Sequence, residues 1–224
     1  MKKKILFVVS SAAHIGPHNR ATGNLLTEVA HPYQTFKKQG YDIDIASVNG
    51  GVAPIDMVEL DDAMNLAFLA DEGAVKMNNT ASINDVSVDG YDAVFVPGGL
   101  APVVDMPENP TVQKILADMY EKGGVVSAVC HGPVALINVK LNDGSYLIDG
   151  KNVTGFSIAE EENYAKEDVP FELEDALKQR GGQYSAASPW QPYVVTDGRL
   201  VTGQNPASAT GVAESVIAIL EPTT

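Results

Sequence analysis

Short apolar runs alternate with longer amphipathic stretches along most of the chain. Residues 4–10 contain Ile5, Leu6, Phe7, Val8 and Val9 in unbroken succession, the pattern of a strand buried on both faces. Over 22–39, Leu25, Leu26, Val29, Tyr33 and Phe36 recur at helical spacing. Thr22 is placed to cap that helix and Gly40 to end it, and Pro32 predicts a kink because it removes a backbone donor. Residues 41–48 alternate, with Ile43, Ile45 and Ser47 against Asp42, Asp44 and Ala46, and predict a second strand. A short helix is expected over 61–70, whereas 74–88 carries no clear period. Strands follow over 91–96 and 125–129, and helices over 110–122, 171–180 and 206–220. Pro206 suits the first position of the last helix and Asn205 its cap. Asp149-Gly150 and Asp197-Gly198 read as hairpin turns.

Strand and helix alternating in this way predict an α/β fold, a mostly parallel sheet with helices on both faces. The 224 residues suit one domain, 1–224, with a candidate small cap or insertion around 54–88. No G-x-G-x-x-G occurs in the first fifty residues and no G-x-x-x-x-G-K-[ST] anywhere, so dinucleotide and P-loop nucleotide readings lose their main support.

Charge narrows the partners. Fifteen Lys and Arg against 29 Asp and Glu give a net charge of −14, which argues against nucleic acid and against an anionic membrane surface. Lys2, Lys3 and Lys4 precede an apolar run that ends at Val9, too short for a signal-peptide core of roughly 7–15 residues. No transmembrane span is visible. The single cysteine, Cys130, excludes an internal disulfide, and a reducing, cytoplasmic compartment is expected.

Cys130 is also the most informative residue. An apolar strand ends in Ala128-Val129-Cys130-His131-Gly132 and a helix follows at once, the arrangement of a nucleophile elbow. Small residues two positions before and after the cysteine relieve crowding, and a helix N-terminus is expected to lower the thiol pKa. Another strand ends in Gly98-Gly99 at what should be the same sheet edge, so the Gly99 and His131 N–H groups are candidate oxyanion donors. Glu28 borders the apolar face of the first helix and is a candidate acid/base group; with His31 at i+3 it also has metal-ligand spacing, although no metal is expected. The four histidines are His14, His18, His31 and His131. None follows His131, so neither a class I glutamine amidotransferase triad nor a papain-like order can be built.

With these residues in place, the chain resembles the ThiJ/PfpI superfamily, and within it the heat-shock chaperone and glyoxalase III branch. The matching stretches are Thr22-Gly23, Glu28 with His31-Pro32, Phe95 to Gly99, Ala128 to Pro133, Val153 to Ser157 with Glu160-Glu161, and Leu200 to Ser208. The resemblance implies a flavodoxin-like three-layer sandwich, usually a homodimer. It also implies a reactive Cys130, an acid/base role for Glu28, a catalytic His131, and an acidic residue among Glu160, Glu161 and Glu162, here taken as Glu161, that orients His131. One departure stands out: the branch often carries a histidine after the glycine pair, where this chain has Leu100. His14 or His18, in the loop after the first strand, are candidate substitutes. The implied activity is cofactor-independent conversion of methylglyoxal or a related 2-oxoaldehyde to a 2-hydroxy acid through a cysteine hemithioacetal. The alternatives are a stress-responsive holding chaperone that binds unfolded clients, or a redox sensor, with an oxidisable cysteine, and a cysteine peptidase or amidase.

Overall fold

This computed structural model describes residues 2–222. Seven strands make the central sheet: β1 (Lys4–Val9), β2 (Asp42–Ser47), β3 (Ala81–Ser82), β4 (Ala93–Val96), β5 (Val125–Val129), β6 (Val194–Asp197) and β7 (Leu200–Gly203). Their spatial order is β6-β7-β5-β4-β1-β2-β3. All neighbours run parallel except β6 and β7, which form the hairpin expected at Asp197-Gly198. The middle strands β1, β4 and β5 are buried almost throughout, which is why they read as continuous apolar runs.

Helix α1 (Leu26–Lys38) packs on α8 (Ala209–Leu220) and on the sheet, with Phe7, Phe36 and Phe95 interlocking edge-on or tilted beneath it. Helix α5 (Pro110–Glu121), the 3-10 turn Gly132–Leu136 and α7 (Leu173–Gln179) pack together as the second helical layer. Helices α2 (Ala63–Leu69) and α3 (Glu72–Asn78) adjoin α1 and β2, and two short helices, α4 (Ala101–Asp105) and α6 (Ile158–Glu161), lie in the loops after β4 and β5. The segment 54–88 therefore supplies these two helices and an edge strand to the sandwich, as well as the short ribbon Ile55–Asp56.

Local chemistry sets the helix ends. At the end of α1, Gly40 adopts φ +85°, its N–H donates to the Lys37 carbonyl at 2.9 Å, and the Tyr41 N–H donates to the Phe36 carbonyl at 3.1 Å. This is a Schellman cap, sealed by Tyr41 stacking on Phe36. At the start of α5, Asn109 Oδ1 accepts from the Thr111 and Val112 N–H groups at 2.9 and 3.1 Å, with Pro110 at the first helical position. Asn109→Ala is expected to lower stability by about 1 kcal/mol, read as a shift in the urea midpoint with unchanged slope.

Three expectations need correction. Helix α1 starts at Leu26 without a side-chain cap, not at Thr22, because Asn24–Leu25 is extended and pairs with Ile55–Asp56. Asn205 does not cap the last helix; its amide is turned to Glu160 and the Gln191 carbonyl, and residues Pro206–Ser208 form a 3-10 turn before α8. Asp149-Gly150 is a turn but not a hairpin, since Asn152–Val153 pairs in parallel with Gln183–Tyr184.

Candidate active site

The strands β4 and β5 end side by side, and the residues after them meet the side chain of α1 that follows β1. This is the crevice at the carboxyl ends of a parallel sheet, where the chain leaves β1 toward β2 on one side and β4 lies on the other. Cys130 sits at that edge with φ +61°, a left-handed conformation that costs a non-glycine residue about 1–3 kcal/mol. It is held there by its own N–H, which donates to the Gly203 carbonyl at 2.9 Å, and by its carbonyl, which accepts from the Phe156 N–H at 2.8 Å. A side chain at Gly132 would overlap the Val96 carbonyl, so the elbow needs glycine there.

Glu28 is fully buried and faces the elbow from α1. Its Oε2 accepts from the Gly98 N–H at 2.7 Å, while Oε1 is buried without a hydrogen-bond partner among the described residues. Burial raises the Glu28 pKa to about 8, against a smaller opposing pull from the Cys130 thiol and the Gly98 N–H. Its carboxyl is thus mainly protonated at neutral pH. Gly99 has φ +88°, and a side chain there would collide with the Gly23 carbonyl. The backbone N–H groups of His131 and Gly99 both favour the ionised Cys130 sulfur.

The thiol does not behave as its position in the sequence suggests. Burial, then the adjacent Glu28, push the Cys130 pKa well up, and the two N–H groups only partly offset them. The expected helix is a 3-10 turn of five residues, which supplies little aligned dipole. The resting cysteine is therefore a thiol. Its proton has an acceptor: Sγ lies 3.6 Å from His131 Nδ1, and His131 Nε2 lies 2.6 Å from Glu161 Oε2. A carboxylate only accepts, so Nε2 carries the hydrogen and Nδ1 keeps its lone pair toward the sulfur. Helical spacing would turn neighbours 130 and 131 apart; the left-handed backbone at Cys130 instead brings both side chains to one side.

The three consecutive glutamates separate cleanly. Glu161 meets His131. Glu160 is buried and accepts from the Trp190 N–H at 2.8 Å, Asn205 Nδ2 at 2.9 Å and Gln204 Nε2 at 3.0 Å, besides closing a capping box with Ser157 on the short helix Ile158–Glu161. Burial would raise its pKa, but these donors hold it below the usual range. Glu162 is exposed and pairs with Lys166.

A cavity of about 460 Å3 opens in front of Cys130, Gly99 and His131. Its walls include Phe156, Tyr164, Trp190 and Met57, none of which the sequence pattern singles out for a role. They come from irregular segments, with Met57 and Trp190 both at positive φ. The usable signal is the lone tryptophan, flanked by Pro189 and Pro192 in a stretch with no periodicity. His14 and His18 are exposed and neither lines this cavity, because their loop folds into the ribbon His14–Ile15 with Arg20–Ala21 and packs against Asp168. Leu100 is buried with Ile15, Val103 and Ala165 in a small apolar cluster. His31 does line the cavity, but its Nε2 is bonded to Asp62 at 3.0 Å, so it shares no ligand position with Glu28.

Fold and elbow together define a class of α/β proteins with a cysteine at a sheet edge. Residues 21–219 match the DJ-1/PfpI family, and the chain belongs to it. It is similar to the Francisella tularensis Rapid Encystment Protein 24 KDa, with 42% identity and a TM-score of 0.94 over 98% of this chain and 99% of that one. It is 35% identical to Glyoxalase 3 of Candida albicans over 99% of both chains. It is 33% identical to the glutathione-independent glyoxalase HSP31 of Saccharomyces cerevisiae over 94% of this chain and 95% of that one. Among the described residues no helix is long and apolar enough to cross a membrane.

Proposed function

We propose that this chain is a glutathione-independent glyoxalase, converting methylglyoxal and related 2-oxoaldehydes to 2-hydroxy acids with Cys130 as nucleophile. One observation carries the reading: a buried sulfur lies between an acid that keeps its proton at neutral pH, Glu28, and a carboxylate-oriented imidazole, His131. Two titratable groups with opposed environments are what a proton-transfer reaction needs.

The thiol proton passes to His131 Nδ1 as Sγ adds to the aldehyde carbon, and the Gly99 and His131 N–H groups receive the developing oxyanion. Glu28 protonates that oxygen, giving a hemithioacetal. The Glu28 carboxylate then removes the proton from C1 as the His131 imidazolium protonates the C2 oxygen, giving an enediol; Glu28 returns its proton at C2 while His131 takes the proton of the C1 hydroxyl and passes it back to Glu28, so both groups are reset. The result is a thioester of Cys130. Water attacks it with His131 as base and Glu161 orienting the ring; the acid leaves and the thiol is restored. One water is consumed and no electrons leave the site, so the chain's own thiol stands in for glutathione.

The whole chain acts in this reading as one unit in a reducing compartment, with segment 54–62 roofing the cavity through Met57 and Glu59. The test is lactate formation from methylglyoxal by purified protein with glutathione omitted. The expected result is turnover at a rate that added glutathione leaves unchanged; no lactate, or a rate proportional to glutathione, overturns the reading. A cysteine peptidase or amidase is the second reading, favoured by the contact between Cys130 and His131. Faster turnover of peptide or ester substrates than of methylglyoxal would move the conclusion there.

A further inference from the structure

The cavity is much larger than a three-carbon dicarbonyl requires. Cavities of roughly 300–1,000 Å3 enclose drug-sized ligands, and this one holds about 460 Å3. Beyond His131 its wall is aromatic. The Phe156 ring lies 4.3 Å from the imidazole, and Trp190 meets Phe156 edge-on at 5.4 Å and Tyr164 at 6.2 Å. Trp190 is fixed through its backbone by Glu160, yet its residue is 48% exposed. An aromatic side chain packed edge-on against two others yet half-exposed beside the cavity can receive another apolar surface.

The charges at the cavity point the same way. No Lys or Arg lines it, and Glu59 is its one carboxylate among the described residues. Arg20 sits over the Tyr164 ring at 5.1 Å and is bonded to Asp168 at 2.9 Å, so it is engaged outside the cavity. His31 is held by Asp62. A carboxylate or phosphate on the substrate would meet no counter-charge, and low-dielectric walls concentrate the field of Glu59 at the mouth.

We propose that the site selects uncharged 2-oxoaldehydes bearing an aromatic or large apolar substituent, with Trp190 and Glu59 setting that choice; this rests on the glyoxalase reading above. The aldehyde carbon meets Sγ and the substituent runs along Phe156 to Trp190. The bonds made and broken are those of methylglyoxal turnover. The product is an anion, which Glu59 repels on release.

The test compares kcat/KM for methylglyoxal and phenylglyoxal, and for 2-oxohexanal and the anionic 4,5-dioxopentanoate, in wild type, Trp190→Ala and Glu59→Lys. Phenylglyoxal is expected to exceed methylglyoxal about ten-fold, the rate equivalent of one ring-on-ring contact. Trp190→Ala should shrink that ratio and Glu59→Lys should narrow the preference for 2-oxohexanal. Phenylglyoxal no better than methylglyoxal, or a charge preference untouched by Glu59→Lys, overturns the proposal. The rate of Cys130 alkylation by 2-bromoacetophenone against iodoacetate gives the same selectivity without turnover. If that selectivity is present and shifts with both variants while no aldehyde is turned over, the glyoxalase reading falls and the site's selectivity stands. If it does not shift, the selectivity falls.

Discussion

Replacing Glu28 by glutamine is expected to lower kcat/KM for methylglyoxal about a thousand-fold while making the folded protein more stable at alkaline pH. Both effects come from one carboxyl. Glutamine keeps the shape and can still accept from the Gly98 N–H through its carbonyl oxygen, so the elbow stays in place. What is lost is a proton that can be given and taken back, and general acid–base catalysis is worth about a hundred- to ten-thousand-fold. The stability effect follows from where Glu28 titrates. Its pKa is raised from an ordinary 4.5 to about 8, so between those values the folded state holds a proton that the unfolded state has released. Stability contributed at this site is therefore full below pH 4.5 and declines as pH rises to about 8, after which it is level. The whole decline corresponds to about 5 kcal/mol at roughly 1.4 kcal/mol per pH unit. The difference between the urea stabilities of Glu28→Gln and wild type should grow across that window. A difference curve that stays flat from pH 4.5 to 8.5 would show that Glu28 is ionised in the folded protein. In the wild type, kcat/KM should fall on the alkaline side with a midpoint near 8, as the acid form of Glu28 disappears.

The parts of the fold that were legible from sequence are those where one physical requirement dominates. Strand β5 spans the residues expected because burial on both faces leaves an uninterrupted apolar run. Helix α5 begins where expected, with Pro110 at its first position, and ends at Glu121, one residue before the expected Lys122 and just ahead of Gly123. Boundaries moved where tertiary pairing competes with local signals: Thr22 looks like a cap, but Asn24 is drawn to the Ser10 backbone and Asn24–Leu25 to a ribbon.

The site divides the same way. The elbow is local, carried by Ala128, Cys130 and Gly132, and could be read from spacing alone. The ionisation state of its sulfur is not local. It depends on burial and on Glu28, a hundred residues away in sequence, and both push the thiol up where the local helix argument pointed down. Glu28 itself borders an apolar helix face, where a solvated carboxylate is the ordinary outcome; only the sheet edge above it shows that it is enclosed. The aromatic wall was invisible for a further reason. Phe156, Tyr164 and Trp190 lie on segments without periodicity, and what brings them together is the hydrogen-bond hub at Glu160, which joins the Ser157 helix, the Trp190 segment and the Gln204-Asn205 loop.

Gly98→Ala is expected to damage turnover by crowding Glu28 and the elbow with a single methyl group. A Cβ at Gly98 would lie 2.5 Å from Glu28 Oε2, 2.8 Å from the Val129 carbonyl oxygen and 2.9 Å from Cys130 Cβ. Two of these neighbours cannot retreat cheaply, because they belong to the elbow backbone and to the strained residue itself. The carboxyl is the softest of the three, so it gives way first and loses the Gly98 N–H. Overpacking a full core costs about 1–3 kcal/mol, and a shift of about 1 Å in a catalytic group costs about a hundred-fold in rate. The expected result is a protein that folds with a lowered urea midpoint and turns over methylglyoxal about a hundred-fold more slowly, mainly through kcat. Gly40→Ala is the control. Nothing lies within 4 Å of a Cβ there, so only the left-handed backbone of the α1 cap is strained. It should cost about 1 kcal/mol and leave kcat/KM unchanged. If Gly98→Ala turned over at the wild-type rate, the carboxyl of Glu28 would not need its place beside the elbow, and its role as the acid would fall with that result.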